Sequence, residues 1–398
     1  MTPLLSSPAQ QYKLITANYW AFTLTDGALR MLVVLHFYQL GYSPLAIAML
    51  FVFYEFFGIV TNLLGGWLGA RFGLNNTMHA GLAMQIGALL LLTVPAEMLS
   101  VGWVMAAQAI SGIAKDLNKM SAKSAIKQWV SNNQKPQLYR WVSLLTGSKN
   151  ALKGLGFFVG GALLMLLGFQ GALLVMALVL SCVLIASYGL LKSDLGRSTF
   201  KPKFHHLFAK NSAINVLSAA RLFLFAARDV WFVVALPVFL SQQLAWSHGQ
   251  TGGFLASWVI LYGIVQAFVP KLTGTSFSHR AVCYWGFGLS AVPALLAFTL
   301  SFNQFVAVTI TFGLLVFAIL FAINSAMHSY LIVSNAREDG TSLDVGFYYM
   351  ANAAGRLAGT VLSGWLFQVS GMNACLWVSC ALLLIAASIA VFLPKVHS

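Results

Sequence analysis

The stretch VGWVMAAQAISGIAKDLNKMSAKSAIK, residues 101–127, begins as a lipid-soluble helix and ends with four lysines and an aspartate. Lys115, Lys119 and Lys123 recur every four residues, so on a helix they form one basic stripe, with Asp116 beside it. An unpaired charge at the centre of a bilayer costs roughly 2.5–3.5 kcal/mol on insertion scales, so such residues face a bundle interior or a watery cavity. The composition of the whole chain supports the membrane reading. Of 398 residues, 59% are hydrophobic and 8% are charged, too little polar surface to cover a soluble globule of this size. Crossing a bilayer takes about 20 apolar residues. Twelve such stretches begin near residues 14, 44, 77, 99, 141, 170, 213, 251, 281, 305, 345 and 372. The first twelve residues lack a basic residue, and the apolar run after Lys13 is too long for a signal peptide, so the first helix is expected to stay.

Lys and Arg in short loops mark the cytoplasmic side. With the N-terminus inside, the inner loops hold Arg71, Lys127, Lys135, Arg140, the 192–212 segment, Lys271, Arg280 and Arg337. The outer loops, near residues 41, 97, 169, 247, 302 and 371, contain neither Lys nor Arg. Both termini are therefore expected in the cytoplasm, and much of the net charge of +14 is a topology signal rather than a nucleic-acid-binding surface. The four cysteines, Cys182, Cys283, Cys375 and Cys380, have no paired spacing and read as packing residues, with no disulfide framework or metal site.

The chain repeats itself. Asp26 and Asp229, Lys153 and Arg356, Gly156 and Gly359, Gly161 and Gly364, and Gly168 and Gly371 all lie 203 positions apart, and GIV recurs at 58–60 and 263–265. Six helices followed by six is the simplest account. The predicted fold class is an all-α membrane protein of twelve transmembrane helices in two pseudo-symmetric six-helix bundles. The expected boundaries are residues 1–191 for the first bundle and 213–398 for the second, joined by a basic cytoplasmic linker at 192–212 that includes Pro202.

This arrangement resembles the major facilitator superfamily, in which two six-helix halves rock about a midplane site. The loop GGWLGARFGLNN, residues 65–76, is similar to that family's glycine-aspartate-arginine-glycine signature. Arg71 and Gly73 remain, as candidate gating residues, but Ala70 stands where the acid is usual and Leu74 and Asn75 replace the basic pair. The customary charge latch is therefore in question, and Arg71 reads equally as a topology-setting loop charge.

Ionisable residues inside helices define the candidate site. The first helix has Asp26 and Arg30, four apart and on one face; the second has Glu55; the fourth has Lys115, Asp116, Lys119 and Lys123. The fifth adds Lys149 and Lys153, the seventh Arg221, Arg228 and Asp229, and the eleventh Arg356, making nine basic and four acidic residues. Pairing is expected of Arg30 with Asp26, of Arg228 with Asp229 or an acid of the other half, and of one lysine with Asp116. At least four or five cations are left over, which is the arrangement that binds a multiply charged anion. Lys123 and Arg221 also read as residues that snorkel to the interface. Lys115, Lys119, Lys149, Lys153, Arg30, Arg228 and Arg356 are expected to contact substrate. Asn324 and His328, one turn apart on the tenth helix, either bond the ligand or tie helices together. Asp26, Glu55, Asp116 and Asp229 serve as ion-pair partners or proton carriers; Glu55 has no basic neighbour in sequence and is the preferred carrier, coupling transport to the proton gradient.

No G-x-x-x-x-G-K-[ST], H-E-x-x-H or Cys-x-x-Cys pattern occurs, so no catalytic residue, metal or cofactor is expected. His205-His206 falls in the linker and reads as solvated. The segments ANYWAFTLTDGALRMLVVLHFYQLGYSP (17–44), SGIAKDLNKMSAKSAIK (111–127), TGSKNALKG (146–154) and AARLFLFAARDVWFVVALPV (219–238) resemble the ArsJ family of bacterial organoarsenical efflux permeases. The resemblance implies export of 1-arseno-3-phosphoglycerate, made by a partner glyceraldehyde-3-phosphate dehydrogenase that uses arsenate, from the bacterial inner membrane by a monomer. The two anionic ends suit two cationic clusters, one per half: Arg30, Lys115, Lys119, Lys149 and Lys153 in the first, and Arg221, Arg228 and Arg356 in the second. A permease for phosphorylated three-carbon metabolites, working by phosphate exchange, would use the same cavity. A sensor or scaffold would leave the nine cations unexplained.

Overall fold

A computed structural model describes residues 8–42, 47, 49–130, 135–191, 211–274, 279–302 and 304–394. Among the described residues the chain forms twelve long helices and no strand. They are α1 (Pro8–Gln39), α2 (Val52–Phe72), α3 (Leu74–Leu91), α4 (Val101–Trp129), α5 (135–167), α6 (169–190), α7 (Ser212–Gln242, interrupted at 233–234), α8 (His248–Thr273), α9 (His279–Leu300), α10 (Val306–Asn335), α11 (341–370) and α12 (372–390). They fall on the twelve stretches expected from hydropathy. The segments α5–α6, α7, α8, α9, α10 and α11–α12 are long and apolar enough to cross a membrane. The linker predicted at 192–212, with His205 and His206, lies outside the described residues except for its last two positions.

Two helix pairs turn on a single residue. Gly168 joins α5 to α6 at φ 68° and Gly371 joins α11 to α12 at φ 74°, a backbone region that L side chains avoid. These are the two glycines that sequence repetition placed 203 apart. Large apolar side chains such as Met165, Ile185, Phe312, Val361 and Trp365 stand exposed along the helices, as lipid contact demands. The four cysteines are free thiols, two of them buried.

The helices gather into two compact units. Unit 1 comprises Met1–Gln134, Ser148–Ala209 and Ala336–Met350; unit 2 comprises Lys135–Gly147, Lys210–Asn335 and Ala351–Ser398. Each unit thus draws one helix end from the other half of the sequence.

In unit 1, α1 crosses α5 where Gly27 and Gly156 face each other, and a Cβ on either would run into the other helix's backbone. The α11 segment crosses α2 in the same manner at Gly66 and Gly346, and Ser342 Oγ donates to the Gly66 carbonyl at 2.7 Å. Bringing backbones this close is what small residues supply where lipid offers no hydrophobic drive for helix association. In unit 2, Gly355 and Gly359 do the same for α7 and α11, and Gly147 for α5 against α8. The core of unit 2 is aromatic. Trp231 lies edge-on to Trp258 and Phe317, with ring centroids 5.9 and 5.0 Å apart, and Trp258 Nε1 donates to the Leu314 carbonyl at 2.8 Å.

Candidate functional site

The α1–α5 crossing decides who pairs with Asp26. With Gly27 against Gly156, the Lys153 ammonium comes to 3.5 Å from Asp26 Oδ2, while the Tyr54 hydroxyl donates to Asp26 Oδ1 at 2.7 Å. Arg30, expected to pair with Asp26 along α1, instead makes its ion pair with Glu55 at 3.8 Å. Glu55 had no basic neighbour in sequence, but α1 provides one.

Asp116 takes Lys119 at 2.6 Å and Lys115 at 3.9 Å. The cations also share aromatic faces. Around the buried Tyr54 ring lie Lys115 Nζ at 3.8 Å from the centroid, the Arg30 guanidinium at 5.6 Å and Lys153 Nζ at 6.0 Å. Lys119 and Lys123 lie 4.8 and 4.9 Å from the Tyr349 ring. A ring face attracts a cation without neutralising it, so these ring contacts leave the positive charge of the cluster in place. Lys149 donates to Asn150 Oδ1 at 3.2 Å.

Unit 2 repeats the central contact with different side chains. Asp229, fully buried on α7, accepts from Arg356 Nε on α11 at 3.2 Å, the counterpart of the Asp26–Lys153 pair at the same 203-residue offset. It also accepts from its neighbour Arg228, Nε to Oδ1 at 2.6 Å. Arg221 stacks 4.0 Å over Phe225 and donates to Asn352 Oδ1 at 3.0 Å and to the Ser325 hydroxyl at 3.0 Å. Tyr262 and Gln266 also donate to that hydroxyl, at 3.0 and 3.2 Å.

The snorkelling expected of Lys123 and Arg221 does not occur, because both side chains are buried at 3% exposure. Asn324 donates to the Val282 carbonyl of α9 at 3.3 Å, a helix-to-helix contact, and with His328 it lines a small cavity inside unit 2. Arg71 is exposed over the rings of Trp67 and Phe72, with no carboxylate partner among the described residues. Gly73 holds φ 94° between α2 and α3, and the Ala70 side chain packs on Leu343 where the family's acid would stand.

Of the nine intrahelical cations, unit 1 therefore holds six against Asp26, Glu55 and Asp116, and unit 2 holds three against Asp229. Sequence reasoning missed Tyr54, Tyr349, Phe225, Asn352 and Ser325. Their only sequence signal is proximity: Tyr54 adjoins Glu55, and Asn352 precedes Arg356 by one turn.

The family model of the Major Facilitator Superfamily matches residues 15–342. The chain belongs to the major facilitator superfamily. The superfamily makes it a multi-pass membrane transporter rather than an enzyme, with twelve helices in two six-helix halves. No curated protein matches the sequence. Among solved structures it is similar to the human organic anion transporter MFSD10, with a TM-score of 0.78 and 14% identity over 97% of this chain and 100% of that one. It is similar to the proton:xylose symporter XylE, with a TM-score of 0.75 and 12% identity over 97% of each chain. A bacterial homologue of the iron transporter ferroportin, in an outward-facing state, follows with a TM-score of 0.73 and 14% identity over 96% of this chain and 98% of that one. At these identities the likeness is one of fold.

Proposed function

We propose that this superfamily member is a secondary active exporter of a small organic anion, 1-arseno-3-phosphoglycerate, working from the bacterial inner membrane with both termini in the cytoplasm. It gives arsenate resistance together with a glyceraldehyde-3-phosphate dehydrogenase that makes the substrate. The observation that carries this reading is the pair of cationic clusters, one in each unit, built on the same duplicated ion pair and each holding more cations than acids. A substrate with an arsenate at one end and a phosphate at the other matches two clusters better than one. The resemblance of residues 17–44, 111–127, 146–154 and 219–238 to the ArsJ family supplies the identity of the anion.

Coupling to protons fits the same residues, and XylE is named as a proton symporter. Protonating Glu55 would release Arg30, whose guanidinium lies 5.0 Å from the Phe51 ring and 5.6 Å from that of Tyr54. One proton would then raise the positive charge of the unit 1 cluster by one. The chain is taken to act as a monomer.

The test is arsenate resistance in a sensitive bacterial strain expressing the protein with and without the dehydrogenase, with arsenite as control. Resistance that needs both proteins supports the reading. A well-expressed transporter that confers none removes the arsenical and leaves the second reading, a permease for phosphorylated three-carbon metabolites, which the surplus of cations supports equally.

A further inference from the structure

The lysine stripe of α4 extends beyond the cluster around Tyr54. Lys115, Lys119, Lys123 and Lys127 are spaced four residues apart, so their positions climb about 18 Å along α4 as a ladder. Only its inner rungs meet Asp116. The outer rungs are buried in unit 1, at 3% exposure for Lys123 and 8% for Lys127, beneath the segment Ala336–Met350. That segment bears on the ladder at three points. Tyr349 presents its ring to Lys119 and Lys123, the Ala336 carbonyl accepts from Lys127, and Glu338 and Asp344 both act electrostatically on Lys127. Its leading residues, AREDGTSLD (336–344), hold three carboxylates against one arginine. Arg337 is bound to Asp344 by two guanidinium hydrogen bonds of 3.1 and 3.0 Å, while Glu338 and Asp339 are exposed. The lysines of the α4 stripe thus run beneath an acidic strip of the same unit.

We propose that Lys123 and Lys127 form a second anion station at the outer end of the α4 ladder. It receives phosphate-like organic oxyanions and passes them along Lys119 to Lys115, and the acidic segment 336–344 occupies it when no substrate is there. The proposal rests on the anion reading above but not on which anion is carried. When the segment lifts, the incoming oxyanion takes the place of the Ala336 carbonyl at Lys127, so the segment returns only after the anion has moved inward. The attraction acts over a Debye length of about 10 Å at 0.1 M salt and fades as salt rises.

The test uses full-length protein with Cys182, Cys283, Cys375 and Cys380 replaced by serine and a single cysteine introduced as Lys123→Cys or Lys127→Cys. In inside-out vesicles, the rates of modification by an anionic and a cationic methanethiosulfonate are compared, each normalised to its rate with a small free thiol. The anionic reagent is expected to react about tenfold faster at low salt, the ratio falling towards one at 1 M salt. 3-Phosphoglycerate should slow the reaction. Glu338→Gln with Asp339→Asn should speed it, which separates an open ladder from a misfolded one. Equal normalised rates for the two reagents, or no reaction from either face of the membrane in protein that still transports, overturns the station. Reagent selectivity without arsenate resistance keeps the station and removes the arsenical; resistance without selectivity does the reverse.

Discussion

Replacing Asp229 by asparagine removes the carboxylate that two guanidiniums share. Arg228 Nε and Arg356 Nε sit 2.6 and 3.2 Å from the two oxygens of that one group. The two cations are then no more than about 8 Å apart, and without the carboxylate their repulsion is about 2 kcal/mol at an effective dielectric of 20. Asp229 is fully buried, whereas Arg228 and Arg356 side chains are 14% and 24% exposed, so neither cation can escape fully into water. Losing one partner of a buried ion pair costs roughly 3–5 kcal/mol, and repulsion of this size is a large part of that. The purified Asp229→Asn transporter is therefore expected to lose heat stability in detergent, and an added organic dianion should restore more of it than in the parent protein. Arg356→Lys, which recreates the chemistry of the Asp26–Lys153 pair, should retain most stability and uptake, while Arg356→Ala should not. An Asp229→Asn protein with parental heat stability and uptake would refute the view that this carboxylate holds the unit 2 cluster together.

Tyr54→Phe keeps the ring under Lys115 and loses the bond to Asp26; it should raise the substrate KM less than Tyr54→Leu, for which about a tenfold rise is expected in vesicle transport. Gly371→Ala and Gly168→Ala place a Cβ at φ 74° and 68°; each should cost about 1–3 kcal/mol and lower the yield of folded protein in fluorescence-detected size exclusion. Gly66→Val pushes α2 off α11 at Ser342 and Gly346, and should make residues 336–344 susceptible to protease in inside-out vesicles.

The twelve helices were legible because apolar length is a property of consecutive residues, and the duplication because Asp26, Lys153 and Gly168 recur at one offset. Sequence gave the members of the duplicated pair but not that they touch. Asp26 and Lys153 meet only because Gly27 and Gly156 let two backbones approach, a fact about crossing helices that is invisible along either one. Helical spacing joined Arg30 to Asp26, but it ranks only partners on one helix, and α2 brought Glu55 closer in space. Nothing singles out Tyr54 and Tyr349 among 13% aromatic residues, and only three-dimensional placement turns them into platforms for cations. For Lys123 and Arg221 the sequence left burial and snorkelling both open for a related reason: distance from a helix end says nothing about which neighbour covers it.

The exchange of helix ends between the units bears on whether either half of the sequence can fold alone. Residues 135–147 cluster with the later half of the sequence, and residues 336–350 with the earlier half, at equivalent positions in the repeat. Each half expressed as a separate polypeptide would lack one helix end of its unit, so the two halves should fold well only in each other's company.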